Sequence, residues 1–288
     1  MSDVPNPQRI LHIRSQDCTK IEGTWSVILP ENIAVNSDEE ISVEIINASI
    51  PYSFYNVNYA NKYLSIREEE IGGANPVDWT LTLTEGNYNA ITFLSAFQTA
   101  INSQSTSLGK GFTYTTTYNK LTNTATIALT SPNSQTNFLF RTGAQERFDC
   151  QYLLGFTFED FQFTTSSSLT SDASMNMSPY DSVYVYSNLG IVNAYDTKTR
   201  NLTNILVKVP IISLPFSYIQ WENTQNLSYK SNRSLINEIQ IQMKDFDGDD
   251  IDLRNANWYM SIKFIITKKS NVFTVSRPNE LVPVEMEF

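Results

Sequence analysis

An all-β sandwich is predicted for this chain, and three observations carry the prediction. The 288 residues are 41% hydrophobic but only 17% charged. Asn, Ser, Thr and Tyr are plentiful, which suits pleated, half-exposed surfaces better than helix faces. Short segments that alternate apolar and polar side chains recur along the chain between polar turns, whereas one segment alone has convincing helical spacing. A chain of this length buries enough apolar surface to fold without disulfides or a metal.

Taken in order, residues 1–17 read as an extended N-terminal arm. "TWSVILP" sets Trp25, Val27 and Leu29 against Thr24, Ser26 and Ile28, a strand expected to end at Pro30. "EISVEIINASIPYSF" puts Ile41, Val43 and Ile45 on one face, adds Ile46 and Ile50, and breaks at Pro51. "KYLSIREEE" predicts a third strand running into a Gly72-Gly73 turn. The texture then changes. "DWTLTLTEGNY" is a strand entering a glycine turn, and "NAITFLSAFQTAINS" spaces Ile91, Leu94, Phe97 and Ile101 along one helix face. Asn89 is placed to cap that helix, because a short side-chain oxygen satisfies first-turn N–H groups that have no helical partner. "FTYTTTYNKLTNTATIALTS" follows as two strands joined by an Asn/Lys turn. Strand, helix and hairpin form a small α+β unit distinct from its flanks.

A Ser/Thr-rich surface loop is expected at 164–178. Strands then resume at "SVYVYSNL", "NILVKVPII", "FSYIQWEN", "SLINEIQIQMKD" and "NWYMSIKFIITKK". Counting both sides of the α+β unit gives about eight sandwich strands, the number a jelly roll uses. The expected organisation is thus a single jelly roll at 18–71 and 146–270, an inserted α+β domain at 72–145, and a C-terminal tail at 271–288. The tail's Leu281, Val282 and Val284 require something to dock on.

Charge and composition exclude several functions. A formal net charge of −10 repels phosphate backbones, so no specific nucleic-acid binding is expected. Arg9, Arg14 and Lys20 form a short basic stretch against Asp17 alone, yet three cations are few beside the roughly six or more phosphate contacts of a typical binder. No run approaches the ~20 apolar residues of a membrane span. Cys18 and Cys150 lie far apart, and "MSDVPNPQRI" is no apolar leader, which points to a reducing compartment. The sequons at Asn47, Asn176, Asn201, Asn226 and Asn232 then read as products of an Asn/Ser/Thr-rich composition.

Catalytic chemistry finds little support. With His12 as the one histidine, in the arm, Ser-His-Asp and Cys-His constellations have no base on a rigid element. Two cysteines and one histidine do not make a zinc set, and no glycine-rich phosphate loop occurs. No catalytic, cofactor-binding or metal-ligating residue is therefore assigned, no cofactor is expected, and the chain is not read as an enzyme. The most chemically suggestive stretch is "KDFDGDDIDLRNANWY", with Asp245, Asp247, Asp249, Asp250 and Asp252 crowded together. It fails the EF-hand pattern, which needs Gly at the sixth position and Glu at the twelfth; Gly248 is fourth and Ala256 twelfth. A different calcium site between strand ends stays open. The plainer reading is a hairpin turn in which Asp247-Gly248 supplies positive φ, joining "INEIQIQM" to "NWYMSIKF".

Three segments together resemble a known family. "TEGNYNAITFLSAFQTAINS", the hairpin "FTYTTTYNKLTNTATIAL" and the closing "INEIQIQMKDFDGDDIDLRNANWYMSIKFII" are similar to the penton, or minor capsid, proteins of virophages and polinton-like viruses. The resemblance implies a jelly roll with an outward insertion and a structural role in the virion. Five copies would form a homopentamer at the five-fold vertex of an icosahedral DNA virus, assembled inside the host cell. It further implies the major capsid protein and other capsid proteins as partners, with a host surface receptor as another candidate. Two readings of other kinds stand beside it: a minor or cement capsid protein, and a carbohydrate-binding host-attachment sandwich using exposed Tyr and Trp. A glycosidase built on a carboxylate pair is the enzymatic competitor, although sequence singles out no pair.

Overall fold

The computed structural model describes residues 8–178, 180–190, 194–195 and 202–269. The tail expected at 271–288, residues 1–7 of the expected arm and the Asn201 sequon lie outside the described residues. In chain order the strands are β1 (Gln8–Arg14), β2 (Thr19–Ile21), β3 (Thr24–Ala34) and β4 (Glu39–Pro51). A second group follows: β5 (Tyr63–Glu70), β6 (Ala74–Thr82), helix α1 (Ala90–Ser107), β7 (Tyr114–Asn119), β8 (Thr124–Leu129), β9 (Ser134–Leu139), the short helix α2 (Gln151–Leu154), β10 (Asp160–Thr164) and β11 (Ser168–Thr170). The chain returns through β12 (Ser182–Ser187), β13 (Ala194–Tyr195), β14 (Leu202–Thr203), β15 (Ile205–Pro210), β16 (Tyr218–Glu222), β17 (Tyr229–Lys230), β18 (Leu235–Lys244) and β19 (Tyr259–Lys268).

Two sheets share one core. The first runs β1-β19-β4-β16, with β17 also on β4, and the second runs β15-β12-β18-β3-β2. Leaving out the short β2 and β17, and β13 and β14, which pair only with each other, eight strands make the sandwich. The first sheet takes the first, eighth, third and sixth of them; the second takes the second, seventh, fourth and fifth. Because every connection between successive strands but the β12–β15 one switches layer and every sandwich pairing is antiparallel, this is a jelly roll. Ile41, Val43 and Ile45 of β4 face Val183, Val185, Ile239 and Ile241 across the core. At Ile46 the register of β4 against β19 slips by one residue, so that Ala48 and Ile50 also point inward. Trp25 and Trp258 meet edge to face with centroids 5.6 Å apart.

A second core lies between β4 and β12 in the sequence. The sheets β10-β9-β5-β6 and β11-β8-β7 enclose Phe93, Leu94, Phe97 and Ile101 of α1. Asn89 caps α1 reciprocally: its side chain accepts from Thr92 N at 2.9 Å, and Thr92 Oγ1 accepts from Asn89 N at 3.0 Å.

Several expectations are corrected. The arm expected at 1–17 contains β1, an edge strand of the sandwich, because Leu11 and Ile13 turn inward while Ile10, His12 and Arg14 face out. β3 continues past Pro30 to Ala34, since the ladder with β18 is already irregular there and the missing N–H breaks no regular pairing. "KYLSIREEE" forms β5, but its neighbours are β6 and β9, and Leu64 and Ile66 belong to the second core. That core draws on residues from Val57 to Met175, a wider span than the 72–145 expected for the insertion. The loop expected at 164–178 holds β11, and Ser171 and Met175 within it are buried. Finally, β18 and β19 are not a hairpin: they lie in opposite sheets, so the aspartate turn carries the chain across the sandwich.

Candidate functional site

The residues singled out by sequence do not converge. His12 Nδ1 shares a hydrogen bond of 2.9 Å with Ser261 Oγ on the neighbouring β19. Cys18 and Cys150 are free thiols; burial raises the pKa of both, with Asp17 adding to the effect at Cys18 and Asp149 at Cys150. The basic stretch is dispersed by partners within the chain. Arg9 pairs with Glu31 at 3.2 Å, Arg14 with Asp17 at 2.7 Å, and Lys20 lies 4.9 Å from the Trp25 ring centroid.

The aspartate turn is held mainly by its own backbone. Asp245 N donates to Asp249 O at 2.9 Å, and Asp249 N donates to Asp245 Oδ1 at 2.9 Å. Lys244 Nζ lies 3.0 Å from Asp250 Oδ1 and donates to Gly248 O at 3.1 Å. Gly248 alone among residues 245–252 has positive φ, at 85°, so the paired positive-φ turn expected for Asp247-Gly248 does not form. The next reversal comes at Arg254 and Asn255, both left-handed, with the Arg254 guanidinium 3.9 Å from the Tyr55 ring centroid. Among the described residues no three Asp, Glu, His or Cys side chains come together closely enough to hold a metal ion. Burial, followed by the charges of Asp249 and Asp247, raises the Asp245 pKa.

A surface feature that sequence reasoning passed over is the connection between β15 and β16, "IISLPFS". Ile212, Leu214 and Phe216 are 85%, 80% and 79% exposed. Water meets almost all of three large apolar side chains within five residues, an unusual concentration for a surface loop. Hydrogen bonds nevertheless fix the loop. Phe216 N donates to Tyr52 O at 2.8 Å, Tyr52 N donates to Ser217 O at 2.8 Å, and Ser217 Oγ donates to Leu214 O at 2.6 Å. Phe216 is held at φ 68°, a conformation that costs a bulky residue about 1–3 kcal/mol. The available signal was the apolar run around Pro215, which lacks the alternation of either flanking strand.

Beside β16 a cleft of about 330 Å³ is lined by Ile45, Trp221, Tyr229 and Leu227, with Asn223 and Gln225 at its polar side. It lies between the ends of the two sheets and carries no cluster of acidic groups. The most deeply buried carboxylate among the described residues, Glu68, is elsewhere, inside the second core. It accepts from Tyr114 Oη at 2.6 Å and Ser105 Oγ at 3.0 Å, and burial raises its pKa. Enclosed in this way, Glu68 knits strand to helix and meets no substrate-sized cavity.

The topology and the surface define an all-β jelly-roll protein with a second core between two of its strands and a fixed apolar loop. No protein-family model and no curated protein sequence matches the chain. Among solved structures the chain is similar to the mavirus penton protein, at 11% identity and a TM-score of 0.49, covering 91% of this chain and 100% of that one. That protein is of the class the sequence motifs resemble. A second likeness, to the flagellar cap protein FliD of Escherichia coli, has 11% identity and a TM-score of 0.16, covering 91% of this chain and 60% of that one.

Proposed function

We propose that this chain is a structural capsid subunit, a penton that closes as a homopentamer at the five-fold vertex of an icosahedral DNA virus. The observation that carries the reading is the Ile212–Phe216 loop, where rigid backbone hydrogen bonds and a strained φ present apolar side chains to water. An isolated subunit gains nothing from such exposure. A subunit that covers the loop with a neighbour gains about 25 cal/mol for each Å² of apolar surface removed from water. A jelly roll supplies the rigid body that a closed ring needs, since heterologous contacts close only when the rotation between copies is fixed. The motifs quoted from the sequence support the same role. The major capsid protein and other capsid proteins are the further partners, the virion is the location, and no catalytic step is assigned.

Sedimentation and native mass measurement test this directly. The full chain is expected as rings of five, and a variant carrying Ile212→Ser, Leu214→Ser and Phe216→Gly is expected as a monomer. Because glycine accepts positive φ without strain, the variant should melt no lower than the wild-type monomer. Pentamers that persist in the variant would refute the loop's role. A monomeric wild type that binds preformed capsid shells would instead establish the cement role. The cleft flanked by Trp221 and Tyr229 favours one second reading, a carbohydrate-binding attachment module, because aromatic walls beside amide side chains suit sugar rings. A wild-type monomer whose glycan binding is lost in Trp221→Ala would favour it.

A further inference from the structure

A cleft of about 200 Å³ opens where the β18–β19 turn meets the segment between β9 and β10, walled by Asn61, Glu146, Asp149, Gln151, Tyr180 and Asp245. Asp149 is only 8% exposed. Its Oδ1 accepts the Gln151 N–H at 3.0 Å, while Oδ2 is enclosed and meets no donor among the described residues. Gln151, 4% exposed, likewise leaves its side-chain oxygen without a donor. Buried polar atoms are paired as a rule, so two enclosed acceptors in one wall mark a missing donor.

The surrounding charges say what kind of donor is missing. Beside Asp149 the cleft is lined by Glu146 and Arg147 from the same segment and by Asp245 and Asp247 from the turn, with Asp249 next to Arg147; Tyr180 closes the side. Arg147 reaches outward, 3.9 Å from Asp249, and Lys244 is committed to Asp250. Carboxylates therefore outnumber cations around the cleft. We propose that it receives a cationic side chain, the guanidinium of an arginine or the ammonium of a lysine, presented by an adjoining protein subunit and pairing with Asp149. An organic cation fits better than a metal because no three acidic side chains converge on one point, whereas a guanidinium spreads its donors and can reach separated oxygens. Burial, opposed by the Gln151 N–H and reinforced by Glu146, pushes the Asp149 pKa up to about 7, so proton and cation would compete for this carboxyl near neutral pH.

That the cation arrives on a subunit rests on the assembly reading above; its place in the cleft does not, so the test uses the full chain whatever its oligomeric state. The probe is L-argininamide, read by NMR of the Asp149 carboxyl and of backbone amides. The Asp149 titration midpoint is expected to fall by about one unit, with amide shifts confined to 146–153 and 245–249. Asp149→Asn is expected to weaken the response about tenfold, and the wild-type titration stands by itself should that variant fold poorly. An unchanged midpoint would overturn the proposal, as would amide shifts indifferent to Asp149→Asn. A larger response to calcium chloride at the same concentration would replace it with a metal site. A midpoint that rises in Arg147→Ala, with no argininamide response in the wild type, would assign the pairing to the chain's own Arg147 and overturn it too.

Discussion

Asp149 and Glu68 show how single buried carboxyls shape the response to pH. Both have folded-state pKa values raised by burial, Asp149 to about 7. The native state therefore holds protons that the unfolded chain releases at lower pH. The stability these groups contribute is fully present below the ordinary carboxylate range and is lost as pH rises through the folded-state values. The melting temperature is thus expected to fall between about pH 4 and pH 7 as far as Asp149 is concerned, and to flatten above that. Asp149→Asn should remove the slope near neutrality. Melting curves across this range decide the matter, and a slope that survives the substitution would show that other groups set it. Asp245, raised in the same direction, is the neighbour to substitute next.

Elements differ in how plainly the sequence announces them. α1 was legible because Leu94, Phe97 and Ile101 keep helical spacing and Asn89 stands where a cap belongs, although Ile91, expected on the same face, is exposed and Phe93 is buried in its place. Asn89→Ala is expected to cost about 1 kcal/mol in denaturant unfolding, with Asn89→Asp close to neutral; a loss near zero for Asn89→Ala would mean that packing alone holds the first turn. β4, β12 and β18 were legible for the analogous reason, alternation against a single core. β9 was not, because Ser134 and Thr136 share its buried face with Phe138 while Gln135 and Asn137 stand on the other face, so no apolar–polar alternation shows. Thr136 Oγ1 bonds Tyr114 Oη at 2.7 Å, which lets a polar residue sit there. β1 escaped notice because Ile10 on its outer face blurs the alternation of Leu11 and Ile13. The crossing of β18 to β19 was hidden for a different reason: a tight turn signals a reversal of the chain, and a reversal into the same sheet and one into the facing sheet leave the same local residues. The candidate site fared similarly. The aspartates were conspicuous in sequence, but Asp149 and Gln151 acquire their meaning only from enclosure.

For the whole molecule, the sandwich strand count was right although its membership was not, since β1 takes the place that β5 was expected to fill. The misplacement of β5 traces to long-range pairing, which a local pattern does not encode. The charge of −10 acts at this scale as well. In the proposed pentamer five such subunits would repel one another, and the Debye length shortens from about 30 Å at 0.01 M salt to about 8 Å at 0.15 M. Pentamer yield is therefore expected to increase over that range in sedimentation experiments, and a decrease would show that attractive charge pairs, not apolar cover, dominate the ring contacts. Lastly, β1 and β19 are antiparallel neighbours, with Gln8 opposite Ile265 and Arg14 opposite Tyr259. The start of one and the finish of the other share a corner, so tension applied across them unzips this ladder rung by rung instead of shearing it, and a short covalent bridge at that corner would leave the rest of the architecture free to be recut elsewhere by circular permutation.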